Sequence, residues 1–289
     1  MQALQAQSAQ ATGEEGRRSL KAKSNGLDKA LVADVLKRLA DAQQLVQRAG
    51  DRSGYRVGGV LLTSVTSMLG VIEKPALKFW AANCQQEADQ RAIEAWLSSG
   101  GSGSVGDILS RVKYAFQSYQ KSAKDIGTEA HAVIEHLMKQ QMGQLPADLP
   151  APVVSNNASF VVSAFRRWAE QNEFTPLASE KVVYSTKSKV SGTFDLLVAV
   201  PKHPQLAGRL VIGDIKTGRE IYEEAILQVL IYRGVFAEML GLDAEKDMGS
   251  LIIRLPKDPS EPEMRVVVWD AAAYRAVLGL GAFCRWRKR

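Results

Sequence analysis

The alternation of apolar and polar positions divides the chain into two halves of different character. From Leu27 to Ala49, the residues Leu31, Val32, Val35, Leu36, Leu39 and Leu45 recur at helical spacing, which predicts a helix ending at Gly50. A turn containing Gly and Arg follows. A second helical region is expected from about Ser64 to Leu97, broken or restarted at Pro75. The stretch Ser-Ser-Gly-Gly-Ser-Gly-Ser-Val-Gly over 98–106 reads as a loop. Further helices are expected from Val105 through the 110s, from Lys124 to Gln141 and, past Pro146, Pro150 and Pro152, over 157–172. The pattern then changes. Lys181–Thr186 and Val190–Val200 are rich in Val, Tyr, Thr and Phe and predict a hairpin turning at Lys187-Ser188-Lys189. Arg209–Lys216 predicts a third strand, Ile221–Leu240 a helix, Leu251–Leu255 and Met264–Trp269 two more strands, and Ala271–Leu280 a closing helix. The layout is a mixed α/β (α+β) fold with a helical N-terminal region.

Composition narrows this picture. The chain has 289 residues, 46% hydrophobic and 24% charged, which fits one large or two small globular domains and excludes a mainly disordered or fibrous chain. Residues 1–27 are polar and without period, as a disordered leader is. The longest apolar candidate, Val60–Ile72, is interrupted by Thr63, Ser64, Thr66 and Ser67, so no membrane span is expected. The N-terminus lacks the layout of a secretory signal, and a reducing cytoplasmic setting is the expectation. Cys84 and Cys284 are then free thiols, and two cysteines cannot build a four-cysteine zinc or iron–sulfur site. The formal charge of +6 sits at the ends: +3 in residues 1–54, +4 in the last five and −1 between them. A basic tail of this kind is either a solvated end or a phosphate-contacting one.

Four stretches have the composition of a reactive site. In Gly213-Asp214-Ile215-Lys216-Thr217-Gly218, Asp214 and Lys216 share one face at the end of an apolar strand, where a carboxylate and an ammonium are costly unless they bind something. Of the 18 lysines, Lys216 alone has an acidic residue two positions earlier. In Gly192-Thr193-Phe194-Asp195, an acid interrupts an otherwise apolar strand. If the two strands are neighbours, Asp195 and Asp214 converge, and two carboxylates that close need a cation between them. Hard oxygen ligands favour Mg²⁺ or Mn²⁺. In Gly127-Thr128-Glu129-Ala130-His131, His131 shares a helix face with Glu135, which read alone is equally an ordinary surface pair. In Gln228-Val229-Leu230-Ile231-Tyr232, Gln228 and Tyr232 share a face with Glu224, either as a polar stripe or as groups for phosphate or base.

Taken in order, Gly-Thr-x-x-His, Gly-Thr-x-Asp, Asp-x-Lys-Thr-Gly and Gln-x-x-x-Tyr resemble the RecB-like branch of the PD-(D/E)XK nuclease superfamily, which includes phage exonucleases and CRISPR-associated exonuclease-like members. The resemblance covers about residues 125–270. A weaker likeness to phage exonucleases extends through Thr63–Ser67, Lys74–Leu77 and Trp80–Ala82. It implies a restriction-endonuclease-like core, a central mixed sheet flanked by helices, and a metal-dependent DNA exonuclease of phage recombination or replication. It further implies metal binding by His131, Asp195, Asp214 and the Ile215 carbonyl, catalysis by Asp195, Asp214 and Lys216, and DNA positioning by Gln228 and Tyr232. Glu135 and Glu180 are acidic extras without an assigned ligand role. The implied cofactor is Mg²⁺ or Mn²⁺ with no iron–sulfur cluster.

The implied partners are DNA and, as a candidate, a phage recombinase or single-strand annealing protein, in the bacterial host cytoplasm if the chain is phage-encoded; a homo-oligomer stays open. No Gly-x₄-Gly-Lys-Ser/Thr occurs, so no helicase motor is expected. Two alternatives stand beside the exonuclease: a structure-specific or nicking endonuclease of the same fold, and a non-catalytic DNA-binding recombination partner. The expected division is a leader over 1–27, a helical region over 28–122, the nuclease core over 123–284 and a basic tail over 285–289.

Overall fold

The computed structural model describes residues 26–50, 54–72 and 75–287; all but the last two residues of the expected leader, Lys74, and Lys288 and Arg289 of the basic tail lie outside the described residues. The chain begins with α1 (Lys29–Gln44), whose N-cap Asp28 accepts a hydrogen bond from Ala30 N. Leu45 closes α1, and the residues expected to continue it instead form β1 (Val46–Arg48). β1 pairs antiparallel with β2 (Tyr55–Val57), which pairs with β3 (Val60–Leu61), making a small separate sheet. β4 (Thr63–Ser64) leads into α2 (Val65–Leu69), whose N-cap Ser64 accepts from Ser67 N. Past Pro75 come α3 (Pro75–Ser98), α4 (Val105–Arg111) and the long α5 (Ala115–Gln141), which starts nine residues before the periodicity announced it. Its early half is polar and exposed and so carries no apolar stripe.

α6 (Asn156–Asn172) is followed by the predicted hairpin, β5 (Thr175–Ser185) and β6 (Val190–Ala199). Then come β7 (Leu210–Lys216), α7 (Glu223–Leu240), β8 (Met248–Arg254), β9 (Glu263–Val266) and α8 (Ala271–Trp286). The main sheet is mixed. Its order is β4-β6-β7-β8-β9, with β5 on the remaining edge of β6; β7 and β8 are parallel, joined by the crossover helix α7.

Helices cover both faces. On one, Ala130, Val133 and Ile134 of α5 and Phe165 and Trp168 of α6 pack on Leu196, Val211 and Leu251. On the other, Val35 and Leu39 of α1, Met68 of α2, Ile231 and Phe236 of α7 and Val277 of α8 pack on Val183, Phe194 and Ile212. α7 is apolar on every side because α8 and the sheet enclose it. Gly234 admits this closeness, since a Cβ there would meet Tyr274 of α8 at 2.4 Å. Cys84 and Cys284 are free thiols, half-buried and buried. Among the described residues no helix is long and apolar enough to cross a membrane.

Candidate metal and nucleic-acid site

The site begins as a gap in the sheet. β5 lines one edge of β6 along its length, while the other edge pairs with β7 at Leu196–Val198 and with β4 at Val190 and Ser191. Between these two neighbours, Gly192-Thr193-Phe194-Asp195 has no strand partner on that edge among the described residues. Asp195 fills the break: its Oδ2 accepts a hydrogen bond of 2.6 Å from Ile215 N, doing for β7 what a ladder carbonyl does elsewhere. A residue's N–H and C=O face the same edge of a strand, so the Ile215 carbonyl also faces the gap.

The strands are wrung at the same place. Phe194 packs against Phe236 on the α7 face, with ring centroids 5.9 Å apart, whereas Leu196 belongs to the core beneath α5 and α6. Strict alternation would put both on one face. The switch coincides with Glu180, which lies between Ser179 and Lys181, the partners of Leu196 and Phe194, and has φ 50°. That left-handed conformation is uncommon for any residue but glycine.

Three side chains from three elements meet over the gap. His131 Nδ1, from α5, is 3.8 Å from Asp195 Oδ1 and 3.9 Å from Glu180 Oε1. One ligand atom from each of the three lies within 4.8 Å of the others. Asp214 is deeper and fully buried, and its Oδ2 pairs with Lys216 Nζ at 2.6 Å. Lys216 donates to Gln228 Oε1 at 3.0 Å, and Gln228 Nε2 donates to Tyr232 OH at 3.0 Å. Tyr232 is itself buried, its ring lying on Gly192 so closely that a Cβ would stand 2.5 Å from Cε1. Gly127 has the same kind of role on α5, where a Cβ would lie 3.3 Å from Thr217 Oγ1.

His131, Asp195, Asp214, Ile215, Lys216, Gln228 and Tyr232, all singled out from the sequence, thus lie in one connected array. Glu135 does not join it and pairs with Lys139 at 2.6 Å. Glu180 does join it, although sequence reasoning gave it no ligand role: it stands one residue before the predicted strand, and nothing in its neighbours announces the backbone twist that turns it inward. Glu129 is structural, accepting from Ser155 N at the start of α6 at 2.8 Å.

Burial and crowded acids set the protonation. Burial pushes the Asp214 carboxyl up to about 6, against the pull of Lys216 and with the help of Asp195. Burial also raises Asp195, opposed by His131 and Lys216. For His131, burial works against the charged form, but the nearby carboxylates of Glu180, Asp195 and Asp214 outweigh it and hold the imidazole up at about 9. Lys216 is raised as well: burial opposes its charge, and Asp214 and Asp195 more than restore it. The cluster has an excess of negative charge, and a proton on His131 supplies the cation. An imidazole nitrogen and carboxylate oxygens this close also suit a divalent cation, which could be held in place of that proton.

Beside the cluster lies a cavity of about 430 Å³, bordered by Gly192, Thr193, Gln228 and Tyr232 and closed by Arg48, Tyr55, Ser64 and Thr66. Tyr55 OH and Thr193 Oγ1 are 2.8 Å apart across it. The small β1–β3 sheet and the start of α2 thus form a wall of the site. Arg285, at the start of the expected basic tail, belongs to α8 and donates to Thr63 Oγ1 and Lys189 O at 3.3 Å each, fastening β4 to the hairpin turn.

Among solved structures, SSO0001 aligns over 91% of this chain and 88% of its own, with 9% identity and a TM-score of 0.32. A candidate exonuclease from Eubacterium rectale aligns over 55% of this chain and 65% of its own, with 11% identity and a TM-score of 0.33. No curated protein matches the sequence. The family profile of the PD-(D/E)XK nuclease superfamily matches residues 108–279, a span that holds the whole ligand cluster, the Asp214–Lys216 pair and Gln228–Tyr232. With a mixed sheet flanked by helices and more than half its length within that match, the chain belongs to the PD-(D/E)XK nuclease superfamily.

Proposed function

We propose that the protein is an Mg²⁺- or Mn²⁺-dependent DNA exonuclease, with the phage recombination or replication role that its motif order implies. The observation that carries the reading is the convergence of His131, Glu180 and Asp195 above the buried Asp214–Lys216 pair at one gap in the sheet. His131, Glu180, Asp195 and Asp214, with the Ile215 carbonyl, would hold the metal. When bound, the cation polarises the phosphoryl oxygen and lowers the pKa of a water. Lys216 is held charged by Asp214 and Asp195 and would stabilise the charge that builds on the phosphate. Gln228 fixes the Lys216 ammonium through its carbonyl and borders the cavity where a strand would lie. Tyr232 acts through Gln228, which it holds in place from beneath.

The exonuclease reading is supported by the walled cavity next to the cluster. A recess bordered by β2, β4 and α2 could receive a strand end. The test is cleavage of end-labelled linear DNA and covalently closed circular DNA in Mn²⁺ or Mg²⁺. Stepwise loss of label from linear DNA alone, abolished by chelator and by Asp214→Ala, is the expected result. Cutting of closed circles would make the protein a nicking or structure-specific endonuclease. Metal-independent DNA binding without any cleavage would make it a non-catalytic recombination partner.

A further inference from the structure

Away from the sheet, α3 and α4 pack on each other, and α3 packs also on α5. Tyr114 forms the elbow between α4 and α5, at φ 67° and ψ 26° with no side-chain cap, and is 54% exposed. A bulky residue in that region is a true outlier and calls for a reason. Tyr114 and Lys113 line both of two hollows of about 570 and 580 Å³. The first is apolar, with Ala81, Ala82, Leu109 and Phe116. The second has Arg91, Arg111 and Lys113 around Tyr119, with Glu87, outside its lining, paired to Arg91 at 3.3 Å. The Lys113 ammonium stands 5.1 Å from the Tyr114 ring centre, and Arg91 donates to Tyr119 OH at 3.5 Å. Farther along α5, the exposed Lys124 lies seven residues, two helical turns, before His131 on the same face.

We infer that this elbow is a stacking platform for single-stranded nucleic acid, which then runs along α5 to the ligand cluster; the inference rests on the nuclease reading and narrows its substrate class. Unpaired bases stack on exposed tyrosines while arginines and lysines take the phosphates, a combination tolerant of sequence. Paired bases have no free faces to offer Tyr114. From Tyr114 to His131 the helix spans ~25 Å, or roughly seven nucleotides at the ~3.4 Å spacing of a stacked strand. Lys124 stands on the route.

The experiment is anisotropy binding of fluorescent oligo(dT) tetramer and dodecamer, and of a blunt duplex dodecamer, in chelator so that no cutting occurs. The dodecamer is expected to bind at least about tenfold more tightly than the tetramer. Tyr114→Gly, which suits the positive φ, should cost the single-stranded dodecamer about fivefold or more and the blunt duplex little. Tyr114→Phe should keep the parent affinity. If Tyr114→Gly melts early, Tyr119→Ala on the surface of α5 reads the same step. Equal dodecamer binding by parent and variant, or an equal loss for the duplex, overturns the platform. Cleavage of the tetramer in Mn²⁺ is scored separately. Its absence in parent and variant alike, with the length-dependent binding intact, would strike the nuclease reading and leave the platform standing.

Discussion

An added Cβ at Gly192 would stand 2.5 Å from Cε1 of Tyr232, whose hydroxyl receives the Gln228 amide that in turn holds Lys216. One missing side chain therefore positions an ammonium two hydrogen bonds away. Gly192→Ala should cost roughly 1–3 kcal/mol in stability through overpacking, and lower the cleavage rate by more than that loss explains. Adding Tyr232→Leu should recover the melting temperature without recovering the rate; recovery of both would mean that the Gln228–Tyr232 contact positions nothing. His131 supplies a second test at this scale. Its folded-state pKa of about 9 lies above the ordinary value of 6.5, so the stabilisation is complete below about 6.5 and is lost as pH rises through about 9. In chelator, the melting temperature should fall by a few °C between pH 7 and 9.5 for the parent, and much less for His131→Asn. Asp195, Asp214 and Lys216 were legible in the sequence, because each interrupts an apolar strand with a group that the strand does not need, whereas His131, Gln228 and Tyr232 read alone as ordinary polar pairs and stood out only through the order of the motifs. Glu180 was not legible, because its placement depends on a backbone conformation that its neighbours do not encode.

The secondary elements show the same division between what is local and what is not. The β5–β6 hairpin, β7, α7 and β8 follow from runs that are apolar or β-branched over their own length, and the structure has them within about three residues of expectation, except that β5 starts at Thr175, six residues before the expected Lys181. β1, β3 and β4 have two or three residues each and exist only through partners elsewhere in the chain, so the region after Leu45 reads as continued helix until Tyr55–Val57 is brought beside it. Because β4 joins β6 at Val190 and Ser191, it bounds the gap in which Asp195 works. The wrung segment of β5 and β6 is another tertiary feature, and it gives a sharp prediction. Glu180→Gly removes a left-handed non-glycine residue and one of the crowded acids, so in chelator above about pH 9, where His131 has lost the proton that Glu180 helps to hold, the melting temperature should rise, with up to about 1 kcal/mol from backbone relief. The same variant should lose most of the stabilisation that Mn²⁺ gives the parent. A variant that responds fully to Mn²⁺ would remove Glu180 from the ligand set.

For the molecule as a whole, charge distribution poses the question that the site cannot answer alone. The body between residues 55 and 284 sums to −1, and the cluster itself is acidic, yet the substrate is a polyanion. Attraction at long range must therefore come from local basic surfaces and from the two ends of the chain, whose charges are +3 and +4. The C-terminal end is not uniform. Arg285 is bound to Thr63 and Lys189, so deleting it would loosen β4 from the hairpin and confuse a structural loss with an electrostatic one. Truncation after Trp286 avoids this, because it removes Arg287, Lys288 and Arg289 and leaves α8 intact. If the three cations meet phosphate, the slope of log affinity against log salt should flatten by up to ~2 for a single strand, at ~0.7 per contact, with the melting temperature and the rate on a tetranucleotide unchanged. The body's own cations, Arg91, Arg111, Lys113 and Lys124 among them, must then supply the remaining slope. A slope identical to the parent's would assign the whole electrostatic attraction to them and leave the tail as a solvated end. A slope that falls together with the melting temperature would mean that the last three residues, like Arg285, hold the fold rather than the substrate.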